Sequence, residues 1–190
     1  AVKAFFMDRG EPIVDAVVSL TGFSLVGGPA YNDTDAAQEM LEALDVPYLA
    51  VQGLEFQSLQ DWESSSMGLM PVEATMMVAI PELDGATGSM VFGGRSEGAS
   101  GEKFDMQPEP ERIERLADRV ARLVSLRHTP IAERKVAIVL FNFPPNSGAA
   151  GTAAHLSVFE SLFNTLSAMR DEGYHVELPE THAELRDAIL

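Results

Sequence analysis

The chain has 190 residues, 46% of them apolar, and a formal net charge of −16. No run of about 18 apolar residues occurs and the start is not basic-then-apolar, so neither a membrane span nor a signal peptide is expected and a cytoplasmic setting follows. The absence of cysteine excludes disulfides, thiolate metal sites and cysteine nucleophiles, and the acidic surface argues against a nucleic-acid partner.

Val14–Leu20 is a short apolar run rich in β-branched residues and predicts a buried strand. A loop over 21–32 follows, carrying Gly22, Gly27, Gly28 and Pro29. Asp33–Leu44 predicts a helix, with Ala36, Ala37, Met40, Leu41 and Leu44 on one face and polar residues at its start. Pro47–Val51 predicts a second strand. Strand, glycine loop, helix and strand make a βαβ unit, which implies parallel pairing.

The stretch 54–70 is polar and serine-rich around the single Trp62 and predicts helical turns mixed with loop. Pro71 suits the first turn of a helix running to about Ala79, with Pro81 as its stop. Residues 83–105 are rich in Gly and Ser and predict a mobile loop holding one short strand, Met90–Phe92. Pro108–Arg127 predicts an amphipathic helix. Ile113, Leu116, Ala117, Val120, Leu123 and Val124 share one face; Arg112, Arg115, Arg119 and Arg122 share the other.

Val136–Phe141 predicts a strand leading into the loop 142–151, and Thr152–Asp171 a helix ended by Gly173. Tyr174–Leu178 predicts a further strand, and Thr181 with Glu184 forms a capping box for a last helix. The expected fold is therefore α/β: a doubly wound, mostly parallel sheet with flanking helices, built from βαβ units. Residues 1–190 read as one α/β piece, with a sub-boundary at 128–135 between 1–127 and 136–190. The chain begins without Met and stops within a helix, so it is expected to be a fragment of a longer polypeptide.

The loop Pro144–Thr152 sits between a strand and a helix N-terminus, where backbone N–H groups and the helix dipole favour anionic ligands. Asn146, Gly148, Gly151 and Thr152 are its candidate contact residues, and Gly27 and Gly28 those of the first glycine loop. The alternative reading is a tight turn in which the glycines serve geometry alone. Neither loop is a phosphate-binding P-loop, because no Lys precedes Thr152, and G-x-G-x-x-G does not occur. Gly94–Gly98 spells G-x-S-x-G but opens no helix, so a hydrolase elbow is not expected. His128, His155, His175 and His182 have no metal-ligand spacing, so no metal site is expected within the chain. The arginine stripe of the 108–127 helix reads as a solvated face or as a docking surface for an acidic partner or substrate carboxylates.

Four strings carry a family resemblance: VDAVVSLTGFSLVGGPA (Val14–Ala30), LDVPYLAVQGLEFQSLQDW (Leu44–Trp62), VAIPELDGA (Val78–Ala86) and FNFPPNSGAAGTAAHLSVFESLFNTL (Phe141–Leu166). Together they resemble the interior of the large, porphyrin-binding subunits of the magnesium chelatases, within a superfamily that includes the cobalt-inserting enzymes. The resemblance implies a share in inserting Mg2+ into protoporphyrin IX for (bacterio)chlorophyll synthesis. It also implies two smaller partner subunits, one an AAA+ ATPase that hydrolyses ATP, with neither Mg2+ nor ATP held by this piece. Metal insertion asks for carboxylates or histidines, and His155, Glu160 and Glu180 are the contributors it suggests here. The alternatives are a non-catalytic scaffold or subunit-docking segment, and a cobaltochelatase-type large subunit.

Overall fold

The computed structural model describes residues 5–28, 31–97, 103–142, 150–151 and 156–190. These divide into two compact units, Ala1–Arg127 and His128–Leu190.

The first unit opens on a two-residue hairpin, β1 (Met7–Asp8) and β2 (Glu11–Pro12), then enters β3 (Val17–Ser19). Helix α1 (Thr34–Leu44) is started by Asp33, whose carboxylate accepts the Ala36 N–H at 3.0 Å. It leads into β4 (Tyr48–Ser58), which lies parallel to β3 with Val17 opposite Tyr48. This is the predicted βαβ unit. Residues 48–54 of β4 are all buried, as in a central strand covered on both faces. Tyr48 and Ala50 face Leu41 of α1, whereas Leu49 and Val51 face the opposite layer.

Ser58 caps the short helix α2 (Leu59–Ser64), whose Leu59 and Trp62 pack with Leu54 and Val91. Helix α3 covers residues 71–84 in three consecutive parts, Pro71–Glu73, a π-helical Ala74–Ala79 and Ile80–Asp84. Pro81 therefore does not stop it. The π turn changes the hydrogen-bond register, so Pro81 falls in the first turn of the following α segment, where its missing N–H is not needed. The helix ends at Gly85, at φ 109°.

The expected strand at Met90–Phe92 is present, but it is the start of a β-hairpin rather than part of a mobile loop. Strands β5 (Met90–Glu97) and β6 (Lys103–Pro108) pair antiparallel, and β5 runs parallel to β4. The Gly/Ser composition suggests a flexible loop, but two of its glycines lie where strands pack too closely for a side chain. Gly93 lies opposite Gly53 of β4 and Pro108 of β6. A Cβ on Gly93 would collide with the Gln107 carbonyl oxygen, and one on Gly94 would sit 2.7 Å from the Leu54 Cβ. Residues 94–97 belong to β5 and form no strand-to-helix elbow.

Helix α4 (Pro110–His128) then packs Leu116, Val120 and Leu123 against Leu49 and Val51. The sheet order β3-β4-β5-β6 is mostly parallel and mixed α/β as expected. It contains no reversal of strand order among the described residues, so the doubly wound winding is not seen in it. The second face is covered by α4, which follows an antiparallel strand and is not a crossover helix.

In the second unit the expected strands Val136–Phe141 and Tyr174–Leu178 carry no ladder. Among the described residues, Asn142 forms an isolated antiparallel bridge to Ala150. A strand is made by its hydrogen-bonded neighbour, and neither segment has one among the described residues. Val136, Ile138, Tyr174 and Val176 instead line a cavity of 250 Å3 with Leu166 and Met169 of α5 (Val158–Asp171). The predicted start of that helix at Thr152 lies outside the described residues. It closes with the Tyr174 N–H on the Met169 carbonyl at 3.0 Å and Gly173 at φ 96°. Helix α6 (His182–Ile189) starts on Thr181, which accepts the Glu184 N–H at 3.2 Å. The Glu184 carboxylate in turn accepts the Glu180 N–H at 3.0 Å.

Candidate functional site

The loop over 20–28 leaves the carboxyl end of parallel strand β3, the end at which open α/β sheets bind ligands. Its shape is fixed by a residue about sixty positions away. Asp84, at the last turn of α3 and 0% exposed, accepts the Ser24 hydroxyl at 2.7 Å and the Leu25 N–H at 2.8 Å through Oδ2. Gly22 lies over Gln52 of β4 and Met77 of the π turn, each within 3.8 Å of where a Cβ would stand. Gly27 holds φ 103°, and a Cβ there would strike the Tyr31 carbonyl oxygen. Gly28 holds φ 79°. Two of the predicted contact residues thus sit in a loop whose backbone conformation requires glycine.

The first unit also holds buried polar atoms with unused hydrogen-bonding capacity, most of them near this loop. Among the described residues, Tyr48 Oη, Gln52 Oε1, Glu73 Oε1 and Asp84 Oδ1 are buried without a partner. Glu73, 0% exposed, uses its other oxygen to accept the Gln57 side-chain amide and the Met70 N–H. Such groups invite donors, because a buried acceptor left unmet is unfavourable. Neither Asp84 nor Glu73 was legible as a site residue. Glu73 carries a faint signal three positions after Met70 at a helix start, and Asp84 only that of a turn residue before Gly85.

Burial pushes the Tyr48 hydroxyl above its ordinary pKa of 10.0; nearby Ser19 opposes this and the Asp84 charge adds to it. The neutral phenol is therefore favoured in the folded state. Stability from this group is complete below about pH 10 and is lost as pH rises past the folded value. Tyr48→Phe is expected to remove that alkaline loss while leaving stability at pH 7 within about 1 kcal/mol of the parent. Urea unfolding at pH 7 and above pH 10 checks it, and an unchanged alkaline slope would refute the assignment.

The second predicted loop is described only at Ala150 and Gly151, where the Gly151 N–H donates to the Phe141 carbonyl at 2.7 Å and φ is 70°. Asn146, Gly148, Thr152 and His155 lie outside the described residues. Glu160, in the first turn of α5, and Glu180, before α6, are both exposed. The Ser157 N-cap of α5 makes no side-chain capping bond.

Residues 1–190 match the family described as CobN/Magnesium Chelatase. The chain belongs to this family. Its likeness to a magnesium-chelatase subunit from Rhodobacter capsulatus is 57% identity over 93% of the chain and 16% of that protein. The magnesium-chelatase subunit of the same name from Cereibacter sphaeroides is 54% identical over 100% of the chain and 17% of the relative. The catalytic subunit of cobaltochelatase from Mycobacterium tuberculosis, a solved structure, matches at a TM-score of 0.70 and 32% identity, covering 92% of this chain and 15% of that one. The chain thus spans about one sixth of the length of the relatives it matches. The resemblance read from the four sequence strings holds at the level of the family.

Proposed function

We propose that this CobN/magnesium chelatase family chain forms part of the porphyrin-binding large subunit of a magnesium chelatase. The observation that carries the reading is the step in identity, 57% and 54% to two magnesium-chelatase subunits against 32% to the cobaltochelatase structure. In this reading Mg2+ and protoporphyrin IX are substrates of the whole assembly in (bacterio)chlorophyll synthesis. ATP is hydrolysed by an AAA+ partner, with a second smaller subunit completing the complex in the cytoplasm. No described helix is long and apolar enough to cross a membrane.

Within the large subunit this piece supplies a wall of the porphyrin site. Protoporphyrin carries two propionates, and the glycine loops at Gly27–Gly28 and at Asn146, Gly148, Gly151 and Thr152 offer close backbone approach and N–H donors to carboxylates. Glu160, Glu180 and His155 are of the residue types that metal insertion asks for.

Titration with protoporphyrin IX tests the reading. The Soret band is expected to shift and the Trp62 emission to be quenched, both saturating together. Absence of saturation would leave the scaffold or subunit-docking role, and saturation by a corrin precursor but not by porphyrin would move the chain to the cobalt-inserting branch.

A further inference from the structure

We propose that the cleft between α4 and the start of β5 binds a small amphiphilic carboxylate, independently of the chelatase reading. The cleft has a volume of 570 Å3, inside the roughly 300–1,000 Å3 typical of small-ligand sites. Its floor and rim include Met90, Leu123 and Leu126, and its polar side is built from Arg119, Arg122 and Ser89.

The polar side has donors to spare. Arg119 donates from Nη1 to the Gly88 carbonyl at 2.8 Å. A Cβ on Gly88 would stand 2.7 Å from that same nitrogen, so the glycine leaves the space the guanidinium fills. One bond out of five possible donors is used there. The adjacent Ser89 hydroxyl is buried without a partner among the described residues. Arg122, three residues along the same helix, lines the cleft and makes no ion pair among the described residues.

Arg112 and Arg115 also line the cleft, but both are paired with Glu111, at 3.1 and 3.0 Å. Two guanidiniums beside apolar side chains therefore suit one carboxylate on an apolar body. Asp118 and the arginine-paired Glu111 also line the cleft, which disfavours a more highly charged anion. The net charge of −16 opposes unspecific anion adsorption, so an anion retained here is held by these local donors.

Isothermal titration of the chain with octanoate, octyl phosphate and octanol tests this. Octanoate is expected to saturate at one site, with octanol at least about tenfold weaker and octyl phosphate no tighter. The pair Arg119→Gln and Arg122→Gln should weaken octanoate by about tenfold or more, while Arg186→Gln in α6 leaves it unchanged. Equal binding of octanol, tighter binding of octyl phosphate, or full affinity in the folded double variant would overturn the proposal. Should the double variant fail to fold, Arg122→Gln alone decides: reduced preference for octanoate over octanol supports the site, and an unchanged preference overturns it.

Discussion

Asp84→Ala is expected to lower the free energy of unfolding by about 3 kcal/mol, since it strips a buried charged acceptor from two donors at once. The Ser24 hydroxyl and the Leu25 N–H, now 2.7 and 2.8 Å from Oδ2, would both be left without that partner. Leu25 also packs on the cluster of Tyr48, Ala50 and Ala86, so the loop has no wetter position to move to without losing that contact. Asp84→Asn keeps a carbonyl acceptor and loses only the charge, so its loss should be roughly half as large. Two measurements check this: the urea midpoint with an unchanged m-value, and hydrogen exchange at the Leu25 amide. A midpoint close to the parent's together with unchanged Leu25 exchange would show that Asp84 does not hold the loop.

A larger effect is expected from Gly93→Val. Its Cβ would run into the Gln107 carbonyl oxygen and come within 3.0 Å of the Pro108 Cα. Both obstacles are backbone, so relief requires β5 and β6 to part, and β5 also carries the ladder to β4. Overpacking that cannot relax by a rotamer change falls at the severe end of single substitutions, about 4 kcal/mol here. For a chain of this length that corresponds to a fall in Tm of roughly 10 °C, readable by far-ultraviolet circular dichroism. A folded variant melting within a few degrees of the parent would mean that the strand pairing at Gly93 is wrongly described.

Some of this architecture was legible from residue pattern and some was not. The run Val14–Leu20, the Asp33 cap and the face formed by Ala37, Leu41 and Leu44 each carry a local signal, and β3, α1 and β4 follow from them. The β5–β6 hairpin reads wrongly as a loop because its glycines answer to neighbouring strands, which local composition does not reveal. Pro81 misleads for a related reason: whether proline breaks a helix depends on hydrogen-bond register, and the π turn resets it. Val136–Phe141 and Tyr174–Leu178 have the apolar content of strands but no pairing partner among the described residues. Of the candidate contact residues, Gly27 and Gly28 occupy backbone conformations that favour glycine. The groups that shape their loop, Asp84 and Gln52, could not be found by motif, because their contacts span tens of residues.

The π turn of α3 also acts on angular phase. Glu73 and Asp84 are eleven residues apart, and in a regular α-helix that separation brings two side chains to within about 20° of the same direction. Both carboxylates would then face the same side of the helix, about 16 Å apart along its axis. The wider turn at Ala74–Ala79 takes up an extra residue, swinging Asp84 away from Glu73 by roughly the 100° that one residue represents. One helix can thus address two separate clients, Gln57 of β4 at one end and the Ser24 hydroxyl with the Leu25 N–H at the other. A straight helix would aim both carboxylates the same way, so the irregular turn works as the phase adjuster that lets a short helix steady the sheet and the glycine loop on two different sides.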